Sequence, residues 1–113
     1  MATAIFVHDG KSIDYTPGAD VSAGDVVVQA DLVGIAKLDI AANALGALAV
    51  VGVFDLPKAT GVGSGIAAGA NCYWDEAEQV AKTDAEAGAN KLLGKAVAAA
   101  GDDDATVRIR LSQ

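Results

Sequence analysis

The sequence is poor in the side chains on which most enzymes and metal sites depend. Its 113 residues include one histidine, His8, one cysteine, Cys72, and only five aromatic residues. A single histidine excludes a metal centre built from several histidines, and a single cysteine excludes an intrachain disulfide. The lone thiol is typical of a chain that folds in a reducing compartment.

Basic side chains are also scarce, with eight Lys and Arg against fifteen Asp and Glu and a net charge of -7. Non-specific nucleic-acid binding depends on clustered basic residues that release counterions from phosphates. Only Arg108 and Arg110 lie close together, so we expect no nucleic-acid partner. No apolar run reaches the roughly 18 residues of a membrane span. The first eight residues lack the pattern of a signal peptide, and we expect a soluble protein with no membrane partner.

The apolar fraction of 52% overstates the size of the core, because 25 of these residues are alanines. Alanine removes little apolar area from water when it is buried. The length predicts one domain, residues 1–113, with a thin core. Association would bury further apolar surface, and we therefore expect a homo-oligomer.

Short runs of β-prone residues, separated by glycine and aspartate turns, predict a mainly β fold. The longest run, residues 46–58, closes with Pro57-Lys58 and predicts one central strand. Other strands are predicted at residues 4–8, 12–16, 26–28, 32–36, 71–74, 79–82 and 105–111. Asp9-Gly10 predicts a hairpin turn after the first of them. We expect a small barrel or sandwich of mostly antiparallel strands with at most one or two short helical turns.

Residues 84–100 are ambiguous, because their Ala, Glu, Lys and Leu content favours a helix. Gly88 and Gly94 interrupt that helix, and we therefore expect a strand at residues 92–99. The last strand alternates strictly between apolar and polar residues. Its inward-facing side chains are predicted to be Val107, Ile109 and Leu111.

Two glycine motifs resemble nucleotide-binding loops but do not complete them. Gly10-Lys11-Ser12 lacks the glycine that a phosphate-binding loop needs five residues earlier, where Ile5 stands. Residues 63–68 fit a loose dinucleotide pattern, but an aromatic strand follows where the pattern needs a helix. We therefore expect no cofactor and no enzymatic activity.

The remaining reactive groups also have simpler explanations. A Cys72 nucleophile with His8 as its base stays open at the sequence level, although Cys72 on a strand is typical of a packed thiol. The carboxylates of Asp102, Asp103 and Asp104 could attract a hard cation, but adjacent aspartates on a turn are usually solvated. We expect no metal site.

The candidate contact residues lie in two stretches. Tyr73 and Trp74 are neighbours on a strand and point to opposite faces, so one belongs to the core and the other is exposed or in an interface. The other stretch is the N-terminal segment. Its candidate interface residues are Ala2, Thr3, Ala4, Ile5 and Phe6. This segment is either a frayed end or an arm that pairs with the sheet edge of another chain.

Several blocks of the sequence together resemble the small capsid cement, or head-decoration, proteins of tailed phages. The blocks are Gly-Val-Phe-Asp-Leu-Pro-Lys at residues 52–58, Gly-Ala-Asn-Cys-Tyr-Trp-Asp at 69–75, residues 93–98 with 105–111, and residues 26–36 ending in Val-Gly-Ile-Ala. Members of this family are often labelled in genomes as predicted RecA/RadA-type phage recombinases. The present chain lacks the complete phosphate-binding loop, the ATPase-sized core and the basic groove that this label requires.

The resemblance implies a virion protein that is made in the bacterial host cytoplasm and binds the outer surface of an assembled phage head. It implies a homo-oligomer, commonly a trimer, that contacts the major capsid protein and stabilises the shell by bridging capsomers. Two other function classes remain open. A DNA-binding recombination accessory protein would bind single strands with an affinity that falls with salt. A small carbohydrate- or host-surface-binding module would use an exposed Trp74 to stack on a sugar ring.

Overall fold

The computed structural model describes residues 3–113, which form two antiparallel β-sheets and almost no helix. Sheet 1 contains β1 (Ser12–Tyr15), β2 (Val26–Gln29), β3 (Leu32–Ala36) and β4 (Gly46–Ala49). Sheet 2 contains β5 (Gly52–Pro57), β6 (Asn71–Asp75), β7 (Val80–Lys82), β8 (Lys91–Ala96) and β9 (Thr106–Leu111). A single 3-10 turn at Glu86–Gly88 is the only helical element of the described residues.

The strand order is β1-β4-β3-β2 in sheet 1 and β5-β9-β8-β6-β7 in sheet 2. Sheet 2 curls, so that a parallel bridge between Lys58 and Ala81 links the ends of its two edge strands without closing a barrel. The predicted mainly β, sandwich-like fold is therefore confirmed. Within residues 3–113, no helix is long and apolar enough to cross a membrane.

The main core lies between the two sheets, because β3 turns Val33 and Ile35 towards sheet 2. The buried side chains that sheet 2 and its connections contribute are Leu56, Ile66, Cys72, Trp74, Ala81, Leu93, Ala96, Ala100, Val107, Ile109 and Leu111. The predicted inward face of β9 is thus confirmed. A smaller cluster of Ala36, Ile40 and Leu48 belongs to sheet 1 and its connections. Four of the sheet 2 members are alanines or cysteine, which keeps the main core thin.

The predicted central strand at residues 46–58 is wrong, because the run contains two strands that belong to different sheets. β4 ends at Ala49 and β5 begins at Gly52, so the chain passes from sheet 1 to sheet 2 between them. Gly52 adopts a φ of 139°, which favours glycine. The apolar run hid the break because Val50 and Val51, which form the connection, are as β-prone as the strands.

The predicted first strand at residues 4–8 is also wrong, because these residues belong to no strand of the described chain. Asp9-Gly10 forms no hairpin, and the Gly10 amide donates instead to His8 Nδ1 at 2.9 Å. β1 pairs with β4, which leaves residues 4–8 without a neighbouring strand. The ambiguous residues 84–100 contain the expected strand, although β8 begins and ends earlier than predicted.

Candidate binding surface

The N-terminal segment of residues 3–9, hereafter the arm, belongs to no strand or helix and is exposed throughout. Ile5, Phe6 and Val7 are 87%, 79% and 82% exposed. No backbone hydrogen bond joins the arm to the rest of residues 3–113, and β1 begins only at Ser12. Three consecutive large apolar side chains exposed to water are unusual on a folded domain, and they make the arm a candidate contact surface.

The arm has the properties that β-strand addition requires. Its main-chain N–H and C=O groups form no backbone hydrogen bond within the described chain, so they are available to pair with a strand of another protein. Burial of one such apolar side chain is worth about 1.5–3 kcal/mol. The predicted contact residues Thr3, Ala4, Ile5 and Phe6 are all exposed in the arm, and Ala2 lies outside the described residues.

The structure assigns Tyr73 and Trp74 to different environments. Trp74 is 3% exposed and belongs to the main core. Of the two predicted positions, core or exposed surface, Trp74 therefore takes the core position. Tyr73 lies on the opposite face of β6 and is half-buried beside Leu92 and Asn90, where it lines a shallow cleft. Tyr73 therefore remains a candidate contact residue. The carbohydrate-binding alternative requires an exposed Trp74, and this indole is buried.

The two potentially reactive groups, Cys72 and His8, lie in different parts of the fold. Cys72 is fully buried in the main core, and its burial raises the pKa of the thiol. His8 is exposed in the arm, where its Nδ1 accepts from the Gly10 amide. The fold therefore does not bring Cys72 and His8 together as a nucleophile and its general base. The packed thiol predicted for Cys72 is confirmed.

In the acidic turn at residues 102–104, two carboxylates accept hydrogen bonds from backbone amides of the same chain. Asp102 Oδ1 accepts from the Gly65 amide at 2.7 Å, and Asp104 Oδ2 accepts from the Gly101 amide at 2.8 Å. These bonds hold the turn against the glycine-rich loop and fold it locally. Within the described part of the chain, no group of three or more His, Cys, Asp or Glu side chains is arranged to bind a metal ion.

Lys58 holds the same two loops together and was missed by the sequence analysis. The residue is only 4% exposed, and its ammonium group donates to the Ala59 carbonyl and reaches Ser64 Oγ at 3.4 Å and the Asp102 carbonyl at 3.3 Å. A lysine after Pro57 at the end of a strand carries no sequence signal of burial. Its contacts explain how a loop rich in glycine stays ordered, and they indicate a structural role.

The outer face of sheet 2 carries a cross-strand ion pair. Asp55 in β5 lies opposite Arg108 in β9, and Arg108 donates from Nε to Oδ1 at 2.9 Å and from Nη2 to Oδ2 at 3.1 Å. The hydrogen bond from Arg108 holds the pKa of Asp55 below its ordinary value. Both side chains are solvent-exposed, so the pair adds little stability.

Comparisons with known proteins give one family and no individual relative. The family model described as phage cement protein matches residues 7–111. None of the curated proteins or solved structures compared with the chain is significantly similar to it. The match includes all nine strands and begins within the arm, and it gives the chain a structural, capsid-associated role in a phage. The chain therefore belongs to the phage cement protein family.

Proposed function

We propose that the chain binds the outer surface of an assembled tailed-phage head and reinforces the shell by bridging neighbouring capsomers. Membership of the phage cement protein family supports a capsid-associated role. The single observation that carries the proposal is the exposed apolar arm, in which Ile5, Phe6 and Val7 have no partner within the described chain. In this role the chain acts by binding alone and has no enzymatic activity.

The arm contacts the major capsid protein, to which it adds a strand. Its unpaired backbone supplies main-chain hydrogen bonds, and its apolar side chains supply affinity through burial. A partner that binds only the assembled shell stabilises it by mass action, because disassembly must also release the partner. Tyr73, half-buried on the outer face of sheet 2, is a second candidate contact.

The chain acts as a homo-oligomer, and a trimer fits positions of three-fold symmetry on a shell. Three arms on one body engage three binding sites at once, so the second and third contacts form at a high effective concentration. The thin, alanine-rich core gives a further reason for association. The protein is made in the host cytoplasm and then joins the outer surface of the virion.

The experiment that tests this proposal compares binding to phage heads by the full chain and by an arm variant. Heads of the encoding phage, assembled without this protein, are sedimented with the wild-type chain or with a variant carrying Ile5→Ser, Phe6→Ser and Val7→Ser. We expect the triple variant to fold normally, because the three side chains are exposed, and to lose most head binding. The matched control is Leu38→Ser with Val62→Ser, which changes exposed apolar residues elsewhere.

Undiminished head binding by the arm variant would exclude the arm as the contact. Absence of head binding by the wild-type chain would contradict the proposed function itself. A low-salt gel shift with single-stranded DNA tests the recombination alternative in the same preparation, and we expect no shift because the chain carries a net charge of -7.

A further inference from the structure

The arm leaves the two sheets beside a cleft that it does not fill. Pairing between β1 and β4 extends as far as Lys11, whose carbonyl accepts from the Val50 amide at 3.0 Å. Beyond that point the chain passes into β5, where Gly52 pairs with Leu111 of β9 and not with the arm. The arm is therefore left outside both sheets and is joined to them through Gly10.

The cleft lies between this junction and the end of β9. Its volume is about 290 Å³, and Gly10 itself forms part of its wall. The apolar part of its lining includes Leu32 and Val51, which are 36% and 44% exposed. A cavity of about 150 Å³ can hold a benzene ring, so the cleft has room for one large apolar side chain.

The cleft also carries a positive charge that has no acidic partner. Arg110 lines the cleft and is exposed, and its cross-strand neighbours are Lys95 in β8 and Val53 in β5. Arg110 forms no ion pair within residues 3–113. Like charges directly opposite each other on neighbouring strands destabilise a sheet. A carboxylate beside Arg110 would therefore stabilise this face.

The arm carries the apolar and acidic groups that fit this cleft. Ile5, Phe6 and Val7 are exposed, and so is Asp9, which has no ion-pair partner in the described part of the chain. An extended chain spans about 3.3–3.6 Å per residue, so Phe6 lies within about 14 Å of Gly10. Gly10 has a φ of 75°, and glycine changes its backbone conformation at low steric cost. Rotation at Gly10 can therefore redirect the arm.

We propose that the arm of the free protein folds back into this cleft and opens to bind the shell. In the closed state Phe6 packs against Leu32 and Val51, and Asp9 pairs with Arg110. The inference rests on the proposed function, in which the arm is the shell contact, and it adds how that contact is regulated.

The arm of the same chain is the occupant because it is tethered to the wall of the cleft. A segment on a short tether has an effective concentration in the millimolar range, far above that of a free partner. The closed arm removes its apolar side chains from water until the shell competes for them. Closure lowers the apparent affinity for the shell by the fraction of chains that are open.

The first test measures closure in the full chain without phage heads. Ala4→Cys with Ser112→Cys places one thiol in the arm and one in the cleft wall, and it leaves the large apolar arm residues unchanged. With oxidised glutathione, we expect an intrachain disulfide that is seen as a faster-running monomer on a non-reducing gel. Cys72 does not interfere, because its thiol is fully buried.

The matched control keeps both cysteines and the tether length and adds Ile5→Ser, Phe6→Ser and Val7→Ser. We expect this control to form the disulfide at least about tenfold more slowly, because burial of one large apolar side chain is worth that factor. Asp9→Asn should slow the reaction about twofold, and Asp14→Asn, which removes an exposed carboxylate elsewhere, should leave it unchanged. Equal rates with the apolar and the serine arm would overturn the proposal.

The second test measures the effect of closure on head binding. A cleft variant carries Leu32→Ser and Val51→Ser, and we expect it to fold because both side chains are partly exposed. It should bind phage heads at least about threefold more tightly than the wild-type chain, because a larger fraction of its arms is open. The control is again Leu38→Ser with Val62→Ser, which should bind like the wild type.

Three other outcomes would overturn the proposal. Disulfide dimers in place of the intrachain disulfide would assign the cleft to the arm of a second copy. Weaker head binding by the cleft variant would assign the cleft to the shell, and unchanged head binding would show that closure does not regulate the contact. Absence of head binding by the wild-type chain would contradict the proposed function, whereas the disulfide test needs no heads and decides separately whether the arm closes.

Discussion

The side-chain amide of Gln113 pairs with the backbone of Val33 as a neighbouring strand would. The Val33 amide donates to Gln113 Oε1 at 2.8 Å, and Gln113 Nε2 donates to the Val33 carbonyl at 2.7 Å. Val33 lies in β3 of sheet 1, and Gln113 follows β9 of sheet 2, so a single side chain joins the two sheets. The side chain of Val33 is fully buried in the main core beside this junction.

Loss of the Gln113 amide should therefore weaken the junction between the sheets. We expect Gln113→Ala to lower the free energy of unfolding by about 1–3 kcal/mol, because two hydrogen bonds are lost. Gln113→Glu should cost more, because a carboxylate can accept from the Val33 amide but cannot donate to the Val33 carbonyl. Urea denaturation measures both variants. The control is Gln29→Ala, at an exposed end of β2. Equal losses in the free energy of unfolding for Gln113→Ala and Gln29→Ala would contradict the role of Gln113 in joining the sheets.

Gly94 lies where the backbone of β8 leaves no room for a side chain against β9. A Cβ built at this position would lie 2.0 Å from the Arg110 carbonyl oxygen, a backbone atom that cannot move aside without breaking the strand pairing. We expect Gly94→Ala to destabilise the chain by more than about 3 kcal/mol or to prevent folding. Gly18→Ala, where a Cβ would meet open space, should change stability by less than about 1 kcal/mol. The measurement is the thermal unfolding of both variants. A Gly94→Ala variant with the stability of the wild type would refute the requirement for glycine at this position.

Cys72 should report on opening of the main core. Its thiol is fully buried, and burial raises its pKa, so little reactive thiolate forms in the folded chain. We expect a disulfide reagent such as Ellman's reagent to modify the folded protein very slowly at pH 8 and to react at once in denaturing urea. Rapid labelling of the native chain, at the rate of a free thiol, would show that the core is open.

The ion cluster around Lys82 predicts a dependence of stability on pH. Lys82 Nζ lies 2.9 Å from Asp75 Oδ2, and the hydrogen bond from Lys82 holds the pKa of Asp75 below its ordinary value. A lowered folded-state pKa stabilises the chain above the unfolded value, which is near 4, and the contribution is lost as the pH falls through the folded value. We expect Asp75→Asn to destabilise the chain at neutral pH and to approach the wild type as the pH falls through the lowered folded-state pKa of Asp75.

The control for this pH profile is Asp14→Asn, because Asp14 is exposed in β1 and has no ion-pair partner within residues 3–113. Its difference from the wild type should stay small at every pH. The measurement is urea denaturation between pH 2 and pH 8. A difference between Asp75→Asn and the wild type that persisted unchanged in acid would show that Asp75 acts through packing and not through its charge.

Local sequence patterns predicted most of the strands because their alternation and turns are short-range. β9 could be placed with its inward face from the alternation of Val107, Ile109 and Leu111 alone. The prediction of a single strand at residues 46–58 was wrong because the break in this run depends on long-range packing. Its residues favour a strand throughout, and the break arises from the packing of two sheets, which no local pattern records.

The candidate contact surface was only partly predictable. The sequence placed Ile5 and Phe6 among the contact residues but also predicted a strand there, since β-prone residues do not show whether a partner strand exists. The alternation that separates Tyr73 from Trp74 could not show which face is the core. Pairs such as Lys95 and Arg110, or Gln113 and Val33, depend on strand register and on contacts between distant residues, so only the structure reveals them.

The measurement that tests the central claim most directly is the temperature at which phage heads release their DNA. Heads of the encoding phage, assembled without this protein, are heated alone, with the wild-type chain, and with the Ile5→Ser, Phe6→Ser, Val7→Ser variant. We expect a higher release temperature with the wild-type chain, because binding to the assembled shell must be reversed before the shell opens, and no increase with the variant. A release temperature that stays the same when the wild-type chain saturates the heads would contradict the account.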